Sequence, residues 1–205
     1  MNTSENQIIT TDVLDRAMSY ETYFNLITSL VAEGKTTGED QSEKFINFTK
    51  LNLQRMKRVY KTTLVNEDLK HTLEKSSEKM VWVLVTEGWC GDAAQNLPAM
   101  AKISEMSDQI ELKILLRDEN PDVINAYLTN GGKSIPKLIA LNAENLNELF
   151  VWGPRPEKFQ TLVMDHKHNP KLSNEEFQLS LHKEYTLDKT QHLQLEMKNL
   201  IAGLS

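Results

Sequence analysis

The segment that decides the fold is VLVTEGWCGDAAQNLP, residues 83–98. It begins inside the apolar run Met80–Val85, which is rich in valine. A short, continuous apolar run of this kind predicts a β-strand that is covered on both faces. The following stretch, Asp92–Met106, favours a helix, so Trp89 and Cys90 fall in the turn between the two elements. The only cysteine of the chain therefore lies at the start of a predicted helix.

The sequence beyond this segment predicts three more strands and two more helices. The strands are apolar runs at Ile110–Leu116, Pro136–Leu141 and Leu146–Trp152. The helices are a short one at Pro121–Leu128, which the Asn-Gly-Gly cluster at 130–132 terminates, and a closing one at Arg155–His168. The predicted order of elements is β-α-β-α-β-β-α.

Helices are also predicted on both sides of this region. An N-terminal helix that ends near Gly34 is indicated by apolar residues spaced along one face: Tyr20, Phe24, Ile27 and Val31. The stretch Ser42–Tyr60 carries a broad apolar stripe beside basic residues, which favours a second helix. A terminal helix, with Asp188 or Gln191 as its cap, is indicated by the spacing of Leu193, Met197, Leu200 and Leu204.

Composition and charge argue against several classes of protein. The 205 residues carry a net charge of −6, and no apolar run approaches the roughly 20 residues that cross a bilayer. We therefore expect neither nucleic-acid binding nor membrane insertion, and we predict that the basic cluster Arg55, Lys57, Arg58 and Lys61 is a solvated helix face. The lone cysteine and a polar start, residues 1–11, favour the reducing cytoplasm.

Residues 83–98 resemble the active-site strand, turn and helix of thioredoxins, with a Trp-Cys pair at the turn, a glycine after it and a proline eight residues beyond the cysteine. Three further matches lie at compatible distances: Asp118–Pro121 after the second strand, Ser134–Pro136 before the third, and Gly153 after the fourth. The similarity covers about Ser76–His168, and the flanking sequence is similar to that of a bacterial branch of thioredoxin-like proteins.

The resemblance implies an α/β thioredoxin-like fold, in which helices flank a central mixed sheet. It implies a thioredoxin-like domain over residues 76–169, an N-terminal helical extension over 1–75 and a C-terminal helical extension over 170–205 that packs on the same domain. It also implies Cys90 as the reactive residue, with Trp89, Gly91 and Asp92 beside it. The peptide bond before Pro136 is expected to be cis, and the backbone of Ile135 is expected to pair with an extended substrate.

The chain departs from the thioredoxin pattern at the positions that serve the second thiol. Ala93 stands where thioredoxins keep their resolving cysteine. Leu84 and Ile114 align with the family's buried acid and with the lysine paired to it. Loss of both members of a buried charged pair leaves no uncompensated charge, so the two changes are mutually consistent.

The sequence does not decide whether Cys90 is reactive, because two neighbouring features act on its pKa in opposite directions. A cysteine at a helix N-terminus faces unpaired N–H groups, which lower the pKa of its thiol. The carboxylate of Asp92 would raise that pKa by like-charge repulsion. We expect Asp92 to act as a helix-capping residue rather than as a general base, and we expect the exposed Arg155 to be solvated.

Three functions fit this pattern. The first is a monothiol redox protein in which Cys90 exchanges with a protein disulfide or with glutathione and an external thiol releases it. The second is a redox-inactive module that binds extended peptides beside Pro136. The third is a peroxide sensor in which Cys90 becomes a sulfenic acid. We predict no cofactor and no metal site, and we expect His166 and His168 to favour the C-terminal end of the closing helix.

Overall fold

The computed structural model of the chain describes residues 8–204. Its four strands are β1 (Met80–Thr86), β2 (Ile110–Leu116), β3 (Lys137–Asn142) and β4 (Glu148–Trp152). They form one sheet in the order β2-β1-β3-β4, in which β1 is parallel to β2 and antiparallel to β3, and β3 is antiparallel to β4. All four strands lie where the apolar runs predict them.

The helices of the described residues are α1 (Thr11–Asp15), α2 (Tyr20–Ala32), α3 (Glu43–Thr62), α4 (Glu67–Lys75), α5 (Gly91–Ser104), α6 (Pro121–Ala126), α7 (Glu157–His168), α8 (Asn174–Asp188) and α9 (Gln191–Ala202). Six of them match predicted helices, and α1, α4 and α8 were not predicted. None of the helices within residues 8–204 is long and apolar enough to cross a membrane.

The central strand β1 separates two layers of core. All seven of its residues are buried, as the continuous apolar run predicts. Trp82 and Leu84 face the larger layer, which includes side chains of α2, α3, α5 and α9. Val83 and Val85 face the smaller layer, which includes Val13 of α1 and side chains of α6. Because β1 is covered on both faces, it fixes the turn that carries Cys90.

Leu84 and Ile114 are directly opposed in the parallel ladder between β1 and β2. Both side chains are fully buried in the same core layer. The two positions that the resemblance aligned with a buried charged pair therefore form an apolar contact.

The N-terminal and C-terminal regions both contact the sheet or the helices around it. Met18 exchanges two backbone hydrogen bonds of 2.8 Å with Ile114, so the segment between α1 and α2 covers the outer edge of β2. The helix α9 packs on α4. The N-cap residue of α9 is Thr190, although the carboxylate of Asp188 also accepts the first-turn amide of His192 at 3.2 Å. The cap predicted at Asp188 or Gln191 is thus displaced by one or two residues.

Two arginines of the basic cluster form hydrogen bonds with other side chains of the protein. Arg58 on α3 donates to the side chain of Gln95 on α5 at 3.2 Å and to that of Thr186 on α8 at 2.8 Å. Arg55 donates to Asn52 at 2.9 Å, and burial lowers its pKa to about 10. The prediction of a solvated face therefore holds for Lys57, Arg58 and Lys61, which are exposed, and fails for Arg55, which is half-buried.

We expect the change Leu84→Asp to lower the free energy of unfolding by at least about 3 kcal/mol, because the fully buried carboxylate would have no cation beside it. Chemical denaturation followed by circular dichroism measures the effect. The control Leu64→Asp, at a side chain that is 84% exposed, should change the free energy by less than about 0.5 kcal/mol. A second change, Ile114→Lys, should recover part of the loss. Unchanged stability of Leu84→Asp would contradict the enclosure of β1.

Candidate functional site

Cys90 is the N-cap residue of α5. The Ala93 amide donates to its Sγ at 3.4 Å, and the thiol donates to the carbonyl oxygen of Ile135 at 3.3 Å. The residue is 7% exposed. The sulfur is therefore held between the first turn of α5 and the residue that precedes Pro136.

The surroundings of Cys90 favour its neutral form. Burial, together with the negative charge of Asp92, raises the pKa of the Cys90 thiol to about 12. The amide of Ala93 and the charge of Arg155 oppose this shift without cancelling it. The sequence left open whether the pKa of the Cys90 thiol is raised or lowered. Burial is the largest effect on that pKa, and it disfavours the thiolate at neutral pH.

Asp92 is bound by residues that are distant in the sequence. Its Oδ2 accepts from Arg155 Nη2 at 2.5 Å and from Nε at 3.2 Å, and its Oδ1 accepts from the Tyr185 hydroxyl at 2.8 Å. The side chains of Asp92 and Arg155 are only 15% and 16% exposed. The expected roles of Asp92 as a helix cap and of Arg155 as a solvated cation were wrong, because each is the other's partner and Cys90 itself provides the cap.

The helix α8 lies directly against Gly91. A β-carbon at Gly91 would come within 2.9 Å of the His182 ring, so only glycine fits here unless that ring moves. The Nδ1 of His182 is 3.1 Å from the side-chain nitrogen of Gln95. Burial and the charge of Arg55 lower the pKa of His182 to about 4, so the ring is neutral at pH 7.

The Ile135–Pro136 peptide bond is cis, as is the Gly153–Pro154 bond. Both Ile135 and Pro136 are buried. Gly153 has a φ of +117°, and a β-carbon there would collide with the carbonyl oxygen of Pro136. A side chain at position 153 would therefore displace the loop that lies against Cys90, which accounts for the glycine found there.

Residues buried beneath the turn fix its backbone. The Gly88 amide donates to the Thr37 hydroxyl at 2.8 Å, and the Asn52 side chain donates to the Gly88 carbonyl at 3.0 Å. Glu87 is 1% exposed, and one of its oxygens accepts from the Asp118 amide at 2.9 Å. Burial raises the pKa of the Glu87 carboxyl. The turn is thus held by parts of the chain before and after it.

A cleft of about 360 Å³ opens beside Cys90. Its lining residues come from α3, the turn between β1 and α5, the end of β2, the loop before Pro136 and the loop before α7: Lys44, Phe45, Phe48, Trp89, Cys90, Gly91, Asp92, Arg117, Lys133, Ser134, Ile135 and Arg155. Five of the six predicted site residues line it, and Pro136 lies buried next to Ile135. The cleft combines four cations with one acid.

The walls of the cleft are aromatic as well as basic. The ring of Trp89 packs against Phe45 with a centroid separation of 5.0 Å, and the Arg117 guanidinium lies 4.7 Å from the Trp89 ring. Arg117 pairs with Asp118, whereas Lys44 and Lys133 have no acidic partner within the described part of the chain. Two cations of this surface are therefore available to a ligand.

Several residues of the site were not predicted from the sequence. Phe45 and Phe48 were predicted only as part of the apolar stripe of α3, and Phe48 is 41% exposed. Lys133 lies two residues before Ile135, so its position next to the matched loop is a signal that could have found it. Tyr185 and His182 carry no local signal, since only the packing of α8 brings them to Asp92 and Gly91.

No group of three or more His, Cys, Asp or Glu side chains within residues 8–204 is arranged to hold a metal ion. His166 at the end of α7 stacks on Phe177 with a centroid separation of 4.0 Å and approaches Asn174 at 3.3 Å. It is therefore a packing residue of the α7–α8 connection.

A family model described as thioredoxin matches residues 38–170. No curated protein matches the chain. A crystal structure of a protein of unknown function from Pseudomonas aeruginosa is 19% identical, with a TM-score of 0.56, and the match covers 92% of this chain and 99% of that one. A crystal structure of an HIV epitope scaffold is 17% identical, with a TM-score of 0.54 and coverage of 91% and 99%. The predicted α/β thioredoxin-like fold is confirmed.

We expect alkylation of Cys90 in the native protein to be slow at neutral pH and still to be accelerating at about pH 10, because the reactive thiolate forms only near the raised pKa. Mass spectrometry of iodoacetamide adducts measures the single site. In denaturant the same cysteine should titrate near the free-thiol value of about 8.5. A native midpoint at or below about 7 would contradict the buried, neutral thiol.

The change Asp92→Asn should speed alkylation of Cys90 by about tenfold or more at a fixed pH, because removal of the carboxylate lowers the pKa of the thiol and leaves the cation of Arg155 beside it. The matched change Arg155→Gln should slow alkylation, because the negative charge of Asp92 then loses its partner. The same labelling experiment measures both. Shifts in the same direction for both variants would exclude a charge effect.

Proposed function

Because the chain belongs to the thioredoxin family, we propose that it binds extended, acidic peptide segments in the cleft beside Ile135. One observation carries this proposal: Cys90 is buried and neutral, yet the cleft beside it is open and is lined by basic and aromatic side chains. The cleft is suited to recognition, and its sulfur is poorly suited to attack.

The backbone before Pro136 supports binding of an extended chain. The Ile135 carbonyl accepts from the Cys90 thiol, and the Ile135 amide has no hydrogen-bond partner in the described part of the chain. A free backbone amide at the edge of a cleft can pair with a peptide carbonyl, as in other cases of strand addition. The bound segment would lie across Cys90.

The side chains of the cleft support a preference for acidic and apolar residues in the ligand. Lys44 and Lys133 supply charges that no acid of the described residues neutralises. Phe48 and Trp89 supply apolar surface next to those charges. Charge complementarity favours acidic segments and disfavours basic ones, and it accelerates encounter with the former.

A second candidate is monothiol exchange at Cys90, and the helix N-terminus favours it. The Ala93 amide points to the sulfur and stabilises a thiolate. In this reaction the Cys90 thiolate attacks one sulfur of a disulfide, such as oxidised glutathione, to form a mixed disulfide and release the other sulfur as a thiolate. An external thiol must then release the product, because position 93 is alanine. A reducing cytoplasm would supply that thiol.

The peptide-binding proposal predicts specificity and independence from the thiol. A fluorescently labelled decapeptide of alternating glutamate and valine should bind saturably, as measured by anisotropy, and a lysine-valine peptide should bind at least about tenfold more weakly. Lys133→Glu should weaken binding of the acidic peptide by about tenfold or more, whereas Lys171→Glu, at an exposed site outside the cleft, should not.

Cys90→Ser separates the two candidates. Under the binding proposal this variant keeps the affinity of the parent for the acidic peptide, and the parent forms little adduct with oxidised glutathione at pH 7. Rapid formation of a glutathione adduct on the parent, together with no preference for acidic peptides, would reject binding and leave exchange as the function.

A further inference from the structure

Two hydrogen-bond donors meet at Gly91, where α8 bounds the cleft beside Cys90. Gly91 lines that cleft, and a β-carbon placed on it would lie 2.9 Å from His182 Nε2 and 3.6 Å from Arg55 Nη1. Both of these residues are partly exposed, so a ligand in the cleft can reach them. No sequence pattern indicates this arrangement, because it depends on the packing of α8 against the turn that follows β1.

The hydrogen bonds of Gln95 determine which nitrogen of the His182 ring carries the proton. Gln95 Oε1 accepts from Arg58 at 3.2 Å, so the Gln95 side-chain nitrogen faces His182 Nδ1 at 3.1 Å. An amide nitrogen only donates, and Nδ1 of the neutral ring must therefore accept. The ring proton lies on Nε2, the nitrogen next to Gly91, and no acceptor among the described residues receives it.

The guanidinium of Arg55 is held in place, but its charge has no partner. Its Nη1 donates to the Asn52 side chain at 2.9 Å, and Asn52 in turn donates to the Gly88 carbonyl at 3.0 Å. No acid within residues 8–204 forms an ion pair with Arg55, and its Nε and Nη2 have no acceptor there. The guanidinium is thus fixed beside the turn with two nitrogens available to a ligand.

The charge around these two donors is net positive. Asp92 is an acid whose charge acts on both Arg55 and His182. Its carboxylate is already bound to Arg155, whereas Arg55 and Arg58 have no acidic partner among the described residues. The charges of these two arginines lower the pKa of His182. An anion between Arg55 and His182 would therefore meet two donors and an excess of positive charge.

We propose that Arg55 and His182 bind a carboxylate of the peptide that lies in the cleft beside Cys90. This inference rests on the proposed function and adds to it a specific site for the negative charge of the ligand. The guanidinium donates to one oxygen of the carboxylate and His182 Nε2 donates to the other. A segment that crosses Cys90 passes Gly91 where α8 bounds the cleft, and its carboxylate belongs to an acidic side chain or to the C-terminus of the partner.

Anisotropy titrations of the full chain with three labelled decapeptides test the site. The first alternates glutamate and valine and has an amidated C-terminus, the second alternates glutamine and valine and has a free C-terminus, and the third is the amidated glutamine-valine peptide. Arg55→Gln and His182→Phe should each weaken binding of a peptide that carries the recognised carboxylate by about tenfold, because a hydrogen bond to a charged group is lost. Neither variant should change the affinity for the third peptide, which has no carboxylate.

The first two peptides identify the source of the carboxylate. A loss confined to the amidated glutamate peptide assigns the site to an acidic side chain, and a loss confined to the free C-terminus assigns it to the chain end. Lys57→Gln on α3 and Lys183→Gln on α8 remove exposed charges from the same two helices and should bind every peptide as the parent does. Nuclear magnetic resonance of the parent should show the Nε2 proton of His182 shifting only with a peptide that has a carboxylate.

The outcomes separate failure of this site from failure of the proposed function. If Lys133→Glu weakens binding of the glutamate peptide but Arg55→Gln and His182→Phe do not, the carboxylate site is rejected and peptide binding in the cleft stands. If the parent binds none of the peptides, both are rejected. Equal losses for the peptides with and without a carboxylate would also reject the site, since they would reflect a disturbed fold, which circular dichroism of each variant measures.

Discussion

The ion pair between Asp92 and Arg155 joins three parts of the chain at one carboxylate. Asp92 lies in the first turn of α5, Arg155 precedes α7, and the hydroxyl that completes the arrangement comes from Tyr185 on α8. Removal of one partner from a pair this buried would leave a charge without compensation, so the three elements constrain one another. The wall of the cleft, the surroundings of Cys90 and the position of α8 all depend on this contact.

The same contact explains why a helix N-terminus does not activate Cys90. The amide of Ala93 points at the sulfur, and an isolated helix start would lower the pKa of the thiol. Here burial removes water from the thiolate, and Asp92 adds a negative charge nearby. The positive charge of Arg155 lowers the pKa of the thiol by less than burial and Asp92 together raise it. The family's scaffold is thus retained while the balance at its cysteine favours the neutral thiol.

The sequence predicted the sheet because its signals are local. The valine-rich run before Cys90 is buried along its whole length, and the residues around Pro136 and Gly153 lie where the resemblance put them. The helix α4 was missed because only Leu69 and Leu73 of its nine residues are buried. The helix α8 was missed because its apolar residues do not lie on one face, as Leu179 and Leu187 are largely exposed.

The site was predicted less well because its polar partners are distant in sequence. Asp92 was assigned to its own helix by a local rule, whereas its partners lie 63 and 93 residues away. No spacing pattern reports such contacts, and only packing of α8 creates them. His182 and Tyr185 reach Gly91 and Asp92 from that helix. The C-terminal region is therefore part of the site itself, since it encloses the start of α5 that holds the sulfur.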